Sequence, residues 1–136
     1  GDSPLYLFRR GELARLNEDH SLAPLLDKLA ADGKMSLDDA KSDPRRHYLR
    51  SAVTGEELDL IDASEKPLAL EAGDILLLAS DGILTLSDDE IRRLLQAYKD
   101  DPVGQIADAL IRDVDGQGDP VQDNTTVVVV KALAAQ

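Results

Sequence analysis

Two aspartates, Asp81 and Asp123, each stand at one end of an apolar run with the length of a buried strand. The run from Asp74 to Ala79 is almost wholly apolar and ends in Ser80-Asp81-Gly82. The run from Thr125 to Val130 is apolar and β-branched and begins just after Asp123-Asn124. A carboxylate at the mouth of such a strand is solvated on one side only. It needs a cation, a cluster of donors or a catalytic reason to be there. Two of them converging make a ligand pair for a hard divalent cation, which takes oxygen donors. The plain alternative is a turn, because Asp-Gly is a good turn dipeptide and Asp123-Asn124 can equally be a loop ahead of a strand.

Convergence depends on what lies between the two runs. Ser87-Asp88-Asp89-Glu90 is a capping box with acids in the first turn, and Ile91, Leu94, Leu95 and Tyr98 follow at helical spacing. A second helix opens with Asp101 as its cap and Pro102 at its first position, with an apolar stripe of Val103, Ile106, Ala107, Leu110, Ile111 and Val114. Two helices joined by a short turn carry the chain out and back. The second strand then lies beside the first and antiparallel to it, with Asp81 and Asp123 on one edge of one sheet. Because both runs are continuously apolar, the expectation is a pair in mid-sheet with both faces covered.

The other elements follow from shorter signals. Leu5 to Phe8 and Leu13 to Leu16 flank Arg9-Arg10-Gly11-Glu12 and read as a hairpin. Ser21 is placed to cap a helix with Leu22, Leu25, Leu26 and Leu29 on its core face, closed by Asp32-Gly33. Ser36-Leu37-Asp38-Asp39 starts a shorter helix that ends at Asp43-Pro44. Leu58 to Ile61 reads as a further strand, and Asp115 to Pro120 as a flexible loop leading to Asp123. The order implies a layered α+β domain.

The 136 residues suffice for one domain. The chain starts inside a structural element, so we read it as a piece of something longer. Its net charge of −12 argues against nucleic acid as a partner and against anionic membranes. There is no cysteine, hence no disulfide framework and no thiolate chemistry. No apolar run reaches the ~18 residues of a membrane span. These features fit a cytoplasmic setting. The two histidines are not read as metal ligands: His20 is expected to bond locally, and His47 belongs to Arg45-Arg46-His47, a basic stretch that could meet phosphorylated substrate or simply be solvated.

Four stretches, in order along nearly the whole chain, resemble the bacterial branch of the type 2C, metal-dependent (PPM) serine/threonine protein phosphatases. GDSPLYLFRRGEL is similar to that family's GDSR strand pair, and the run from Asp19-His20-Ser21 to Thr54-Gly55 to its DHS segment. ILLLASDG is similar to its SDG motif, and QDNTTVVVV to its DN ending. The resemblance implies that residues 1–136 are the C-terminal part of one phosphatase catalytic domain. It implies a four-layer α-β-β-α sandwich with antiparallel sheets, and two or three Mn²⁺ or Mg²⁺ ions in a cleft at one end. Asp81 matches the SDG aspartate and Asp123 the DN aspartate, both ligands of the second core metal. Asp2 matches the GDS aspartate that helps hold a third, weaker metal. The implied chemistry is direct attack of activated water on phosphoserine or phosphothreonine in protein substrates, without a phosphoenzyme.

Departures from the pattern matter as much. The family's N-terminal motifs, including DGxGG with its bridging aspartate and the phosphate-binding Arg, do not occur here. Pro4 stands where GDSR has Arg, and Ile83-Leu84-Thr85-Leu86 follows SDG without the usual acid. The leading reading is therefore part of a protein phosphatase, itself inactive alone. The alternative is a non-catalytic phosphatase-like binding or regulatory module. A phosphatase output domain fused to a sensor is a third reading, disfavoured by the DHS segment. Half a sandwich leaves strand edges and apolar faces open, which points to a homodimer through exposed strand edges, with Leu5 to Phe8 the expected edge.

Overall fold

The Arg10-Gly11 pair turns the chain back on itself. Both residues take positive φ, 52° and 85°, the handedness that a two-residue hairpin turn demands. On either side run β1 (Leu5–Arg9) and β2 (Glu12–Arg15), paired antiparallel with Phe8 opposite Leu13. The computed structural model describes residues 1–135. These divide into two compact units, one of residues 1–2 and 18–64, the other of residues 3–17 and 65–135.

The second unit holds the sheet. Its remaining elements are β3 (Ile75–Ala79), a 3₁₀ turn over Asp81–Thr85, two long helices and β4 (Val127–Lys131). Strand order is β2-β1-β3-β4, antiparallel throughout. One helix spans Asp88–Tyr98 and the next Val103–Gly116. They become α3 and α4 once two helices of the first unit are counted, α1 (Ala23–Ala31) and α2 (Leu37–Ser42). The capping box of α3 is complete: Ser87 Oγ accepts from the Glu90 N–H and the Glu90 carboxylate accepts from the Ser87 N–H.

One face of the sheet, carrying Tyr6, Phe8, Ile75 and Leu77, shares a core with Ile91 and Leu95 of α3 and Ile106 and Leu110 of α4. These eight residues are at most 2% exposed. Tyr6 enters that core with its hydroxyl still satisfied, donating to Asp88 Oδ1 at 2.9 Å. At the hairpin end, the Arg9 guanidinium donates from two nitrogens to the buried Asp74 carboxylate, at 2.9 and 2.6 Å, and to the Ala69 carbonyl. The Arg9 bonds, the Asp74 contact with Glu71 N–H and the Arg10–Glu71 ion pair pin residues 69–74 to the hairpin.

Several expectations are corrected here. The β3–β4 pairing is antiparallel as anticipated, with Leu77 opposite Val129, but β4 is an edge strand and not a mid-sheet one. Its valines alternate: Val127 and Val129 face the helices, while Val128 and Val130 are exposed with Leu78. A continuous apolar run cannot by itself distinguish two covered faces from one. Leu5 to Phe8 is no edge, since β1 lies between β2 and β3. Pro102, not Asp101, caps α4, and α4 runs on through Gly116 into the stretch expected to be loop.

In the first unit, the Leu22 N–H donates to the Tyr48 carbonyl and the Arg50 N–H to the His20 carbonyl. Ser36 caps α2 by accepting from the Asp39 N–H. Ser21 accepts from the Ala23 N–H but stands one residue outside α1, whose capping position is Leu22. Of the expected leucine stripe only Leu26 is fully buried. Leu58 to Ile61 forms no strand: both backbone groups of Leu60 bond to the Ser51 hydroxyl, where a strand would need a neighbouring ladder. No helix among the described residues is long and apolar enough to cross a membrane.

Candidate functional site

β3 ends at Ala79 opposite Val127, the first residue of β4. Ladder contacts continue one step beyond the strands. The Ser80 N–H donates to the Thr126 carbonyl at 3.0 Å, and Ser80 Oγ accepts from the Thr126 N–H at 2.9 Å while donating to the Asn124 carbonyl. The residue after Ser80 is Asp81, at the head of the 3₁₀ turn; the residue before Asn124 is Asp123. Pairing of two hydrophobic strands therefore delivers two carboxylates to one edge of the sheet, as the connectivity of the helix pair anticipates.

Gly82 brings the two turns closer than any other residue could. A Cβ at position 82 would lie 2.4 Å from Thr125 Oγ1, 2.7 Å from the Asn124 carbonyl oxygen and 2.9 Å from that of Asp123. Its φ is not the reason for glycine here; the approach of another backbone is. Asp-Gly therefore does more than terminate a strand.

Asp81 is half-buried and Asp123 exposed. Asp123 Oδ1 accepts from the Asn124 N–H at 2.7 Å, a bond that orients the carboxylate. Two carboxylates of this kind suit Mg²⁺ or Mn²⁺, hard cations that accept oxygen ligands and retain waters in the remaining positions. Among the described residues no three histidine or acidic side chains are clustered to hold a metal by themselves. Asp2, the third residue singled out in the sequence, belongs to the first unit.

The basic stretch is less available than its composition implies. Both nitrogens of the Arg46 fork are engaged by Asp27, at 2.8 and 2.9 Å, and Arg45 is paired with Asp43. These bonds hold the Asp43 carboxyl down at about 2, the Arg45 side chain being the main cause. His20 is buried with its Nε2 3.6 Å from Glu18, and His47 is exposed in a 3₁₀ turn. Sequence reasoning passed over Gln122, which sits against both turns; the only signal was a polar residue immediately before Asp123.

An antiparallel sheet under a helix pair, with two aspartates at adjacent strand ends, frames the candidate site. The family model described as Stage II sporulation protein E (SpoIIE) matches residues 50–133. The chain belongs to this family of bacterial type 2C (PPM) serine/threonine phosphatases. It is 34% identical over 133 residues to the serine/threonine protein phosphatase PstP of Mycobacterium tuberculosis, covering 98% of this chain and 24% of that protein. To the serine/threonine phosphatase stp of Listeria monocytogenes it is 32% identical, covering 96% of this chain and 49% of the relative. The crystallised catalytic domain of PstP in complex with 2 manganese ions superposes with a TM-score of 0.71 at 32% identity, over 98% of this chain and 51% of that one. The chain thus spans about half, or less, of the relatives it matches.

Proposed function

We propose that residues 1–136 form the C-terminal part of one metal-dependent protein phosphatase catalytic domain, whose whole hydrolyses phosphoserine and phosphothreonine in protein substrates. The observation that carries this reading is the delivery of Asp81 and Asp123 to one sheet edge, with the SDG and DN turns in backbone contact. In this reading Asp81 and Asp123 hold one Mn²⁺ or Mg²⁺, and Asp2 serves a third, weaker ion. Bound there, such an ion lowers the pKa of water and offsets the charge of a phosphoryl group in transfer. The chain's own part is to present the oxygens. The Asn124 N–H orients the Asp123 carboxylate, and Gly82 permits the two turns to touch. Manganese in the PstP structure supports the metal assignment.

With two carboxylates as its share of the site, the isolated chain is expected to bind Mn²⁺ weakly and to melt slightly higher in its presence. The double variant Asp81→Asn, Asp123→Asn should lose that response. A response that persists in the double variant refutes the assignment. The isolated chain is not expected to turn over a phosphopeptide or para-nitrophenyl phosphate, and robust turnover that vanishes in Asp123→Asn would show a complete site. Pro4 and the acid-free stretch after Gly82 favour a second reading, a non-catalytic phosphatase-like module. An Asp-Gly-x-Gly-Gly motif upstream in the parent sequence decides for the enzyme. As a further partner we carry a second copy of the chain, joined at a free strand edge.

A further inference from the structure

We propose that Gln122 is a positioning residue that sets the spacing between Asp81 and Asp123; this rests on the metal-binding reading above. Its side-chain amide is half-buried between the two turns. Nε2 donates to the Gly82 carbonyl at 2.9 Å, in the turn that starts with Asp81. The same nitrogen donates to the Asp123 carbonyl at 2.9 Å and lies 3.2 Å from Thr125 Oγ1. On its other side, Oε1 accepts from the Thr85 hydroxyl at the far end of the 3₁₀ turn. One amide group thus bonds both ends of the Asp81–Thr85 turn and the backbone of Asp123.

The geometry is selective. Strand pairing and the Ser80 hydroxyl already hold Ala79–Ser80 against Thr126–Val127, so Gln122 is not needed to join the strands. Burial of Ile83 in the core anchors one side of the 3₁₀ turn; on the other side Gln122 ties the turn's backbone to that of Asp123, and this link sets one carboxylate relative to the other. Groups that orient metal ligands from behind matter at a known scale: their loss costs about 10- to 100-fold in metal affinity.

The test uses the whole chain and Mn²⁺ alone, with bound metal read by electron paramagnetic resonance and the fold by circular dichroism. Gln122→Met keeps the length and removes every side-chain hydrogen bond. Its expected result is about a 10-fold or larger loss of Mn²⁺ affinity with an unchanged fold. Thr85→Val, which removes one bond of the set, should shift affinity the same way by less. Affinity within twofold of wild type in Gln122→Met, while the Asp81→Asn, Asp123→Asn pair abolishes binding, overturns the inference and leaves the metal reading intact. If instead the double Asn variant binds like wild type, the metal reading falls. Amide exchange in the metal-free protein then decides on Gln122 by itself. Faster exchange at Ile83 together with Asn124 in Gln122→Met supports coupling of the two turns, and unchanged exchange at both overturns it.

Discussion

Gly82→Ala isolates the closest contact at the candidate site. The new methyl carbon would stand 2.4, 2.7 and 2.9 Å from three oxygens, two of them backbone carbonyls. Ordinary contact requires about 3.5 Å, so the Asn124 and Asp123 carbonyls must retreat by roughly 0.6–0.8 Å. Neither is the end of a flexible side chain. Moving them strains the Ser80–Asn124 and Gln122–Asp123 hydrogen bonds. Overpacking of this kind costs about 1–3 kcal/mol, and each weakened hydrogen bond about 1 kcal/mol more. We expect a loss of about 3 kcal/mol, or a fall of roughly 10 °C in melting temperature for a domain of this size. Urea denaturation and calorimetry measure it. Adding Thr125→Ala removes the shortest contact but neither carbonyl, so it should restore less than half. Gly104→Ala is the control: nothing lies within 4 Å of its added carbon, and helix α4 should be unchanged or slightly more stable. A Gly82→Ala protein within about 0.5 kcal/mol of wild type would refute the reasoning, because a touching backbone could not accommodate the methyl group so cheaply.

Three further outcomes are expected. The Arg9 hydrogen bonds hold the buried Asp74 carboxyl below its ordinary range, so its contribution to stability is full above the unfolded pKa of about 4 and is lost as pH falls through the folded value; Asp74→Asn should cost about 3 kcal/mol at neutral pH and flatten the acid limb of the denaturation curve. Burial and the hydrogen bond to Asp88 push the Tyr6 phenol up, so its stabilisation is full below the unfolded pKa of about 10 and fades above it. Tyr6→Phe should remove that alkaline dependence in chemical denaturation at a cost of about 1 kcal/mol near neutrality. If the free edge of β4 pairs with a second copy, sedimentation should show a dimer that persists at low ionic strength despite the charge of −12, whereas a monomer at every salt and at high protein concentration rules the association out.

Local signals predicted what local physics controls. The capping box at Ser87, the cap at Ser36 and the turn at Arg10-Gly11 are each settled by a few neighbouring atoms. The placement of Asp81 and Asp123 beside adjacent strand ends was legible for a related reason, since a polar residue at the end of an apolar run marks the end of a strand. The order of elements then sufficed to make those strands antiparallel neighbours. The same local reading went astray where a partner decides the outcome. Leu58 to Ile61 has strand composition, but Ser51 takes its hydrogen bonds. Val127 to Val130 reads as doubly buried, but only one face of its strand meets helices. Arg45 and Arg46 read as free cations, but Asp43 and Asp27 occupy them. Gln122 and Gly82 show the limit most clearly. Their identities are visible in the chain, but their work is done against residues about 40 positions away, Gly82 against Asp123 and Asn124, Gln122 against Gly82 and Thr85. Sequence alone determined which residues could carry the chemistry and which elements would bear them. The tertiary structure decided how closely they meet, because contact between distant segments depends on packing that no local pattern encodes.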